Sequence, residues 1–232
     1  MPTKLPRTLS SLVNREAFSK TLSRLRHAET GLSRQDILVW TTLVAIVAIA
    51  LAIRVQPAKW GVALYEFDPY LQYRVTEFIL NKGFPAWFTW HDSQVWYPNG
   101  RDMTTTTYPG LPLTAASMYV IARLFGIQVT LWDLACFFPP ILGAATCLVI
   151  YFLGKDIGGR QVGLLSALFL AVGPAYISRT FLGWFDDETV GVPALLLIFL
   201  FYLRSLEPEK PQWRSLGYAV AAGLSLGYLA AS

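Results

Sequence analysis

Residues Ile37 to Ile53 carry no charged side chain and are mostly aliphatic, with Arg34 and Asp36 before them and Arg54 after them. A run of this length, lengthened by flanking side chains that reach back to polar surroundings, is enough to cross the roughly 30 Å of membrane hydrocarbon. Further uncharged stretches run from Leu134 to Gly154, Gln161 to Ser178, Thr189 to Leu203 and from Ser215 onward. A helix satisfies every backbone N–H and C=O within its own segment, so helices are the expected form of such runs in lipid. The chain of 232 residues is 54% hydrophobic and only 15% charged, too apolar for an ordinary soluble domain. The expected fold class is all-α, a polytopic transmembrane helical bundle.

The charges exclude several functions. A formal net charge of +4, scattered along the chain, does not make a nucleic-acid surface. Cys136 and Cys147 lie in one apolar run and can build neither a disulfide framework nor a thiolate metal cage. Any metal must be held by oxygen or by the 2 histidines. The basic N-terminal segment is too long for a secretory signal, so the first hydrophobic helix is expected to be retained. The closing Leu-Ala-Ala-Ser has no polar anchor, and the chain reads as the front part of a longer polypeptide.

Charge also sets the expected topology. Residues 1–36 form a basic tail that stays cytoplasmic by the positive-inside rule. Spans are expected over about 37–55, 132–154, 160–178, 189–204 and 215–232. Two inter-span loops are basic, one with Lys155 and Arg160, the other with Arg204, Lys210 and Arg214. Both become cytoplasmic if residues 56–131 form one external loop, in which Leu111 to Phe125 is an amphipathic helix lying in the outer interface and not a span. That parity puts Phe181 to Glu188 on the same face as the segment after the first span. Loops this long without spanning elements are usually functional, and Trp60, Trp87, Trp90 and Trp96 suit a headgroup-level position.

Two acidic clusters thus share one side: Tyr65-Glu66-Phe67-Asp68-Pro69-Tyr70 and Gly183-Trp184-Phe185-Asp186-Asp187-Glu188. Ionised carboxylates near hydrocarbon are costly unless paired or bound to a cation. Oxygen-only ligands favour a hard ion, Mg²⁺ or Mn²⁺. Asp186 and Glu188 share a face only in an extended segment; in a helix they point roughly 200° apart. The competing reading is helix capping before Thr189, with Asp187 the preferred cap, and a helix start for Asp68 before Pro69. Arg179, at a span end, reads either as an interfacial anchor or as a cation for phosphate or for the acids. His91 carries low weight as a ligand or base.

The stretches YEFDPYLQYR (65–74), WHDSQVWYPNGR (90–101), TTTYPGLPLT (105–114) and YISRTFLGWFDDE (176–188) together resemble the catalytic subunit of oligosaccharyltransferase, a membrane glycosyltransferase of the GT-C type. The resemblance implies a GT-C bundle whose long external loop carries interfacial helices. It implies that Asp68 binds the divalent metal, Mg²⁺ or Mn²⁺, and touches the acceptor amide, that Asp186 and Glu188 serve the metal, and that Arg179 is the nearby basic residue. The implied partners are a lipid-linked oligosaccharide donor on a polyprenyl (pyro)phosphate, an acceptor polypeptide with Asn-X-Ser/Thr, and membrane lipid.

The resemblance also implies a later external acid and a Trp-Trp-Asp signature that this sequence lacks, so the chain is expected to be inactive by itself. The expected location is a cell membrane with the site on its external face, or else the endoplasmic reticulum membrane. The alternatives are another GT-C transferase using a lipid-phosphate sugar, and a membrane transporter. Against the transporter, the acids sit at span ends and not mid-span.

Overall fold

The computed structural model describes residues 33–232. The described residues divide into two units after Trp40. Most of the expected basic tail lies outside the described residues. In the first unit, Ser33 and Asp36 open a helix reciprocally: Ser33 Oγ accepts the Asp36 N–H at 3.1 Å, and Asp36 Oδ2 accepts the Ser33 N–H at 2.9 Å. This satisfies N–H groups that the first helical turn leaves without partners.

Helix α1 (Arg34–Arg54) runs into a 3-10 turn, Gln56–Trp60. Then come α2 (Phe67–Lys82), the short α3 (Phe84–Trp87), and β1 (His91–Asp92) paired antiparallel with β2 (Arg101–Asp102). The short α4 (Met103–Thr106) and α5 (Gly110–Leu124) follow. The remaining elements are α6 (Leu131–Val172), the short α7 (Pro174–Ile177), α8 (Glu188–Ser205) and α9 (Gln212–Ala230). Helix α5 falls within one residue of the interfacial helix expected over Leu111 to Phe125.

A straight α6 of 42 residues would be about 60 Å long, twice the hydrocarbon thickness. It is instead a hairpin that reverses at Gly158 and Gly159, where Gly159 has φ 85°, a conformation glycine adopts without steric cost. The arms touch closely at Gly154 and Gly163: a Cβ on Gly163 would stand 2.6 Å from the Tyr151 carbonyl oxygen. The span expected to reach Ser178 stops earlier, at Val172. Pro174 has no N–H and disfavours a helical residue before it, so Gly173 is extended and α7 starts afresh.

Three of the described helical stretches are long and apolar enough to cross a membrane: Arg34–Trp60, Leu131–Val172 and Glu188–Ser205. Helix α9, over the fifth expected span, is 19 residues long but is diluted by Gln212, Arg214 and several glycines and serines, and is not among them. Helices α8 and α9 are antiparallel neighbours. At one end of α8, Arg204 Nε donates to Asp156 Oδ2 at 2.6 Å. At the other, the Gly110 N–H donates to the Ala231 carbonyl at 2.7 Å, and the hydroxyls of Thr114 and Tyr228 are 2.7 Å apart.

Two apolar clusters carry residues 61–130. Val75, Ile79, Trp87, Met103 and Ala116 join α2, α3, α4 and α5. Leu64, Leu111, Ala115, Ala135, Cys136, Phe138, Phe185 and Val190 join the chain before α2 to α5, α6 and the start of α8. This second cluster draws its residues from beside both acidic segments and so ties them together.

Candidate functional site

The segment before α8 is fixed by backbone bonds. The Leu182 N–H donates to the Arg54 carbonyl at 2.9 Å, the Gly183 N–H to the Cys136 carbonyl at 3.0 Å, and the Tyr65 N–H to the Gly183 carbonyl at 3.2 Å. The approach is close enough to require glycine: Gly183 has φ 85°, and a Cβ there would sit 2.0 Å from the Ala63 carbonyl oxygen. The chain leading to Asp186 is thereby locked against the chain leading to Asp68.

Arg54 anchors the same region from below. It is fully buried, with no acid bonded to its guanidinium among the described residues. Its Nε donates to Thr180 Oγ1 at 2.8 Å, and its two terminal nitrogens donate to the carbonyls of Ala50, Ala171 and Leu170. Carbonyls at a helix C-terminus have no partner within the helix and carry partial negative charge, so a cation is favoured there.

Above these supports, Asp68, Asp186, Asp187 and Glu188 line one cavity of about 300 Å³, with Gln72, Arg101 and Thr106 to Tyr108 completing much of its wall. Asp68 lies in the first turn of α2. The second acidic segment is not extended, contrary to the condition set by the sequence: Asp187 has helical angles and α8 starts at Glu188. The turn into the helix leaves the Asp186 and Glu188 carboxylates lining the same cavity.

Asp187 is not a side-chain cap, which corrects the capping expectation. Its Oδ1 accepts from Gln72 Nε2 at 2.8 Å, while the Asp187 N–H is taken by Asp186 Oδ1 at 2.9 Å. Helical angles at Asp187 turn its carboxylate away from the α8 amides and toward α2.

Burial of Asp186 and Asp187 shows in their proton affinities. Burial pushes the Asp186 carboxyl up to about 6, against the pull of the Asp187 N–H, with Glu188 and Asp68 adding repulsion. Burial likewise pushes Asp187 up to about 7, with Asp186, Glu188 and Asp68 contributing. Arg179 reaches Glu188 at 3.3 Å and stands over the Trp184 ring at 5.1 Å, the acid-partner alternative of its sequence reading. Glu188 Oε2 is buried and has no hydrogen-bond partner.

Among the described residues no three acids, histidines or cysteines stand close enough to ligate one ion as they are. The donor set still fits a hard cation: Asp68, Asp186 and Glu188 offer carboxylate oxygens to one cavity, and with Asp187, whose Oδ1 is taken by Gln72, the four acids face the guanidiniums of Arg101 and Arg179 with a formal excess of two negative charges. His91 does not line that cavity. Its Nδ1 lies 2.6 Å from Asp102 and its Nε2 3.2 Å from the Asn99 carbonyl.

Three residues of this arrangement had no role in the sequence reading. Gln72 stands four residues after Asp68, a spacing that shares a helix face and was legible once α2 was placed. Arg101 closes the stretch WHDSQVWYPNGR; it lies over the Trp96 ring at 4.5 Å and its Nε donates to Thr106 Oγ1 at 2.6 Å. Arg54 looked like a flanking charge, and only the tertiary fold buries it.

Residues 37–232 match the family described as oligosaccharyl transferase STT3, N-terminal. The chain is 34% identical over 207 residues to the dolichyl-diphosphooligosaccharide–protein glycosyltransferase subunit STT3B of Arabidopsis thaliana, a match over 89% of this chain and 28% of that protein. It is 36% identical over 211 residues to the STT3A subunit of Oryza sativa subsp. japonica, over 90% of this chain and 26% of that protein. The chain therefore spans little more than a quarter of the length of these relatives. In fold it is similar to the archaeal oligosaccharyltransferase AglB from Archaeoglobus fulgidus, solved with an inhibitory peptide and a dolichol-phosphate: TM-score 0.68, 22% identity, covering 85% of this chain and 24% of that one. A structure of the Archaeoglobus fulgidus oligosaccharyltransferase with Zn and sulfate gives TM-score 0.65 at 24% identity, over 82% of this chain and 25% of that one.

Proposed function

The chain belongs to the STT3 oligosaccharyltransferase family, and from that premise we propose that it supplies the N-terminal membrane region of an enzyme of protein N-glycosylation. The reaction is transfer of a glycan from a polyprenyl (pyro)phosphate carrier to the side-chain amide of Asn in an Asn-X-Ser/Thr sequence. The observation that carries this reading is the single cavity shared by Asp68 of α2, by Asp186 and Asp187 before α8 and by Glu188 at its start.

An amide nitrogen is a poor nucleophile because its lone pair is delocalised into the carbonyl. Asp68, as a hydrogen-bond acceptor for the amide N–H groups, holds the nitrogen toward the sugar and stabilises the charge it gains in the transition state. Asp186 and Glu188 would hold a divalent cation with Asp68, and the orphaned Glu188 Oε2 is an oxygen free for it. When bound, such a cation withdraws charge from the departing phosphate. Arg179, paired with Glu188, would meet phosphate oxygens with its guanidinium fork. Oxygen donors without thiolate point to Mg²⁺ or Mn²⁺, and the relative solved with Zn and sulfate supports a metal in this family. The relatives solved with dolichol-phosphate and with an acceptor peptide containing an NVT sequon support both substrates.

The acid end of α8 lies opposite the end where Arg204 pairs with Asp156, and the positive-inside rule supports an extracytoplasmic cavity, in this reading at a cell membrane. The alternative is the lumenal face of the endoplasmic reticulum.

The test uses the full-length protein in membranes, with a labelled sequon peptide and a lipid-linked glycan. Glycopeptide is expected with Mg²⁺ or Mn²⁺, and Asp68→Ala and Glu188→Ala are each expected to abolish it. Undiminished transfer by both variants would overturn the assignment.

A further inference from the structure

The cavity holds one contact that the reaction outlined above does not use. Gln72 is nine-tenths buried. Its Nε2 reaches across from α2 to donate to Asp187 Oδ1 at 2.8 Å. Its Oε1 is also buried and has no hydrogen-bond partner. A buried amide oxygen left unpaired costs free energy, so the side chain is held in this pose by what its nitrogen does.

Asp68 and Gln72 are one helical turn apart on α2, and Asp187 lies between Asp186 and Glu188. The Gln72–Asp187 bond is a direct side-chain link between the helix that carries Asp68 and the turn that carries the other two acids. It also draws the Asp187 carboxylate out of the helix-capping role its position favours.

We propose that Gln72 is a positioning residue that, through its hydrogen bond to Asp187, sets the spacing between the Asp68 carboxylate and the Asp186/Glu188 pair. This rests on the cation-binding reading of those three acids. Four carboxylates in one cavity repel; the backbone bonds at Gly183 hold the two segments together, and the Gln72–Asp187 bond keeps their carboxylates from turning apart toward solvent. A neutral amide suits the task better than Lys or Arg, because it donates to one acid without neutralising the site. Asp187 acts as the acceptor of this bond and not as a cation ligand.

The experiment is a titration of the purified full-length protein with Mn²⁺, following the free-ion electron paramagnetic resonance signal. Outer residues that orient metal ligands are worth about 10- to 100-fold in affinity, and Gln72→Leu is expected to weaken Mn²⁺ binding by that factor. Asp187→Asn keeps an oxygen that accepts from Gln72 and is expected to bind Mn²⁺ like the unsubstituted protein. The double change Gln72→Glu with Asp187→Asn exchanges donor and acceptor and is expected to restore affinity; Gln72→Glu alone is not.

Unaltered affinity in Gln72→Leu would overturn the proposal. So would an Asp187→Asn protein as weak as Asp186→Asn, because Asp187 would then be a ligand. Hydrogen exchange on the cation-free protein tests the tie by itself. The Val190 and Gly191 amides are expected to exchange about tenfold faster in Gln72→Leu and not in Asp187→Asn. If the unsubstituted protein binds no Mn²⁺ but this exchange pattern holds, the cation reading fails and the tie stands. Unchanged exchange in Gln72→Leu removes the tie.

Discussion

Arg54 Nε donates to Thr180 Oγ1 at 2.8 Å, joining the end of α1 to the loop that leads to Asp186 across 126 positions of sequence. The guanidinium lies in the interior and replaces water for the carbonyls of Leu170 and Ala171. Gly143 leaves it room: a Cβ there would stand 2.9 Å from Arg54 Nε.

Removing this anchor should unfold the site before it unfolds the helices. Arg54→Met leaves Thr180 and several buried carbonyls short of donors, at about 1–3 kcal/mol each where no water enters. The expected outcome is a lower apparent melting temperature in detergent and loss of Mn²⁺ binding. Gly143→Ala should move both in the same direction through the clash.

Gly183→Ala combines a left-handed backbone with a carbonyl 2.0 Å from the added carbon. The loop must shift, at a cost of about 1–3 kcal/mol, and Asp186 shifts with it. Hydrogen exchange should localise the change to residues 181–188, with the remote part of α9 unaffected.

Arg179→Gln should separate stability from chemistry. The Arg179–Glu188 pair is half exposed, and such pairs are worth about 0–1 kcal/mol to folding. The melting temperature should therefore hardly move, whereas glycopeptide formation by the full-length protein should fall by about 100-fold if the guanidinium meets the departing phosphate.

The hairpin carrying His91 and Arg101 should loosen in acid. Burial of Asp92 works against its ionisation, but hydrogen bonds from Arg74 and from the Gln94 amide outweigh it and hold the carboxyl below the usual carboxylate range. A depressed carboxyl stabilises the fold fully above its unfolded value of about 3.9 and loses that contribution as the pH falls through the lower folded value. Exchange at residues 91–102 should accelerate over that acid window, and Asp92→Asn should abolish the pH dependence while accelerating exchange at neutral pH.

Much of the helical framework was legible in the run lengths of uncharged residues, since a membrane-sized apolar stretch has few other stable forms. The first turn of α2 at Asp68-Pro69 followed from local helix-start chemistry. The stop at Val172 was missed because the apolar pattern continues through Gly173 and Pro174 to Ser178, while the backbone cannot.

The sequence by itself determined which segments are apolar helices and that the acids of residues 65–70 and 183–188 belong at one end of them, because hydropathy and charge parity are properties of the chain order. Only the tertiary structure decided that Asp187 faces Gln72 instead of its own helix, that Arg54 is interior, and that Asp68 shares a cavity with Asp186 and Glu188. Those facts depend on contacts between residues more than a hundred positions apart, fixed by the fit of Gly183 against Ala63 and of Arg54 under Thr180, which no local pattern encodes.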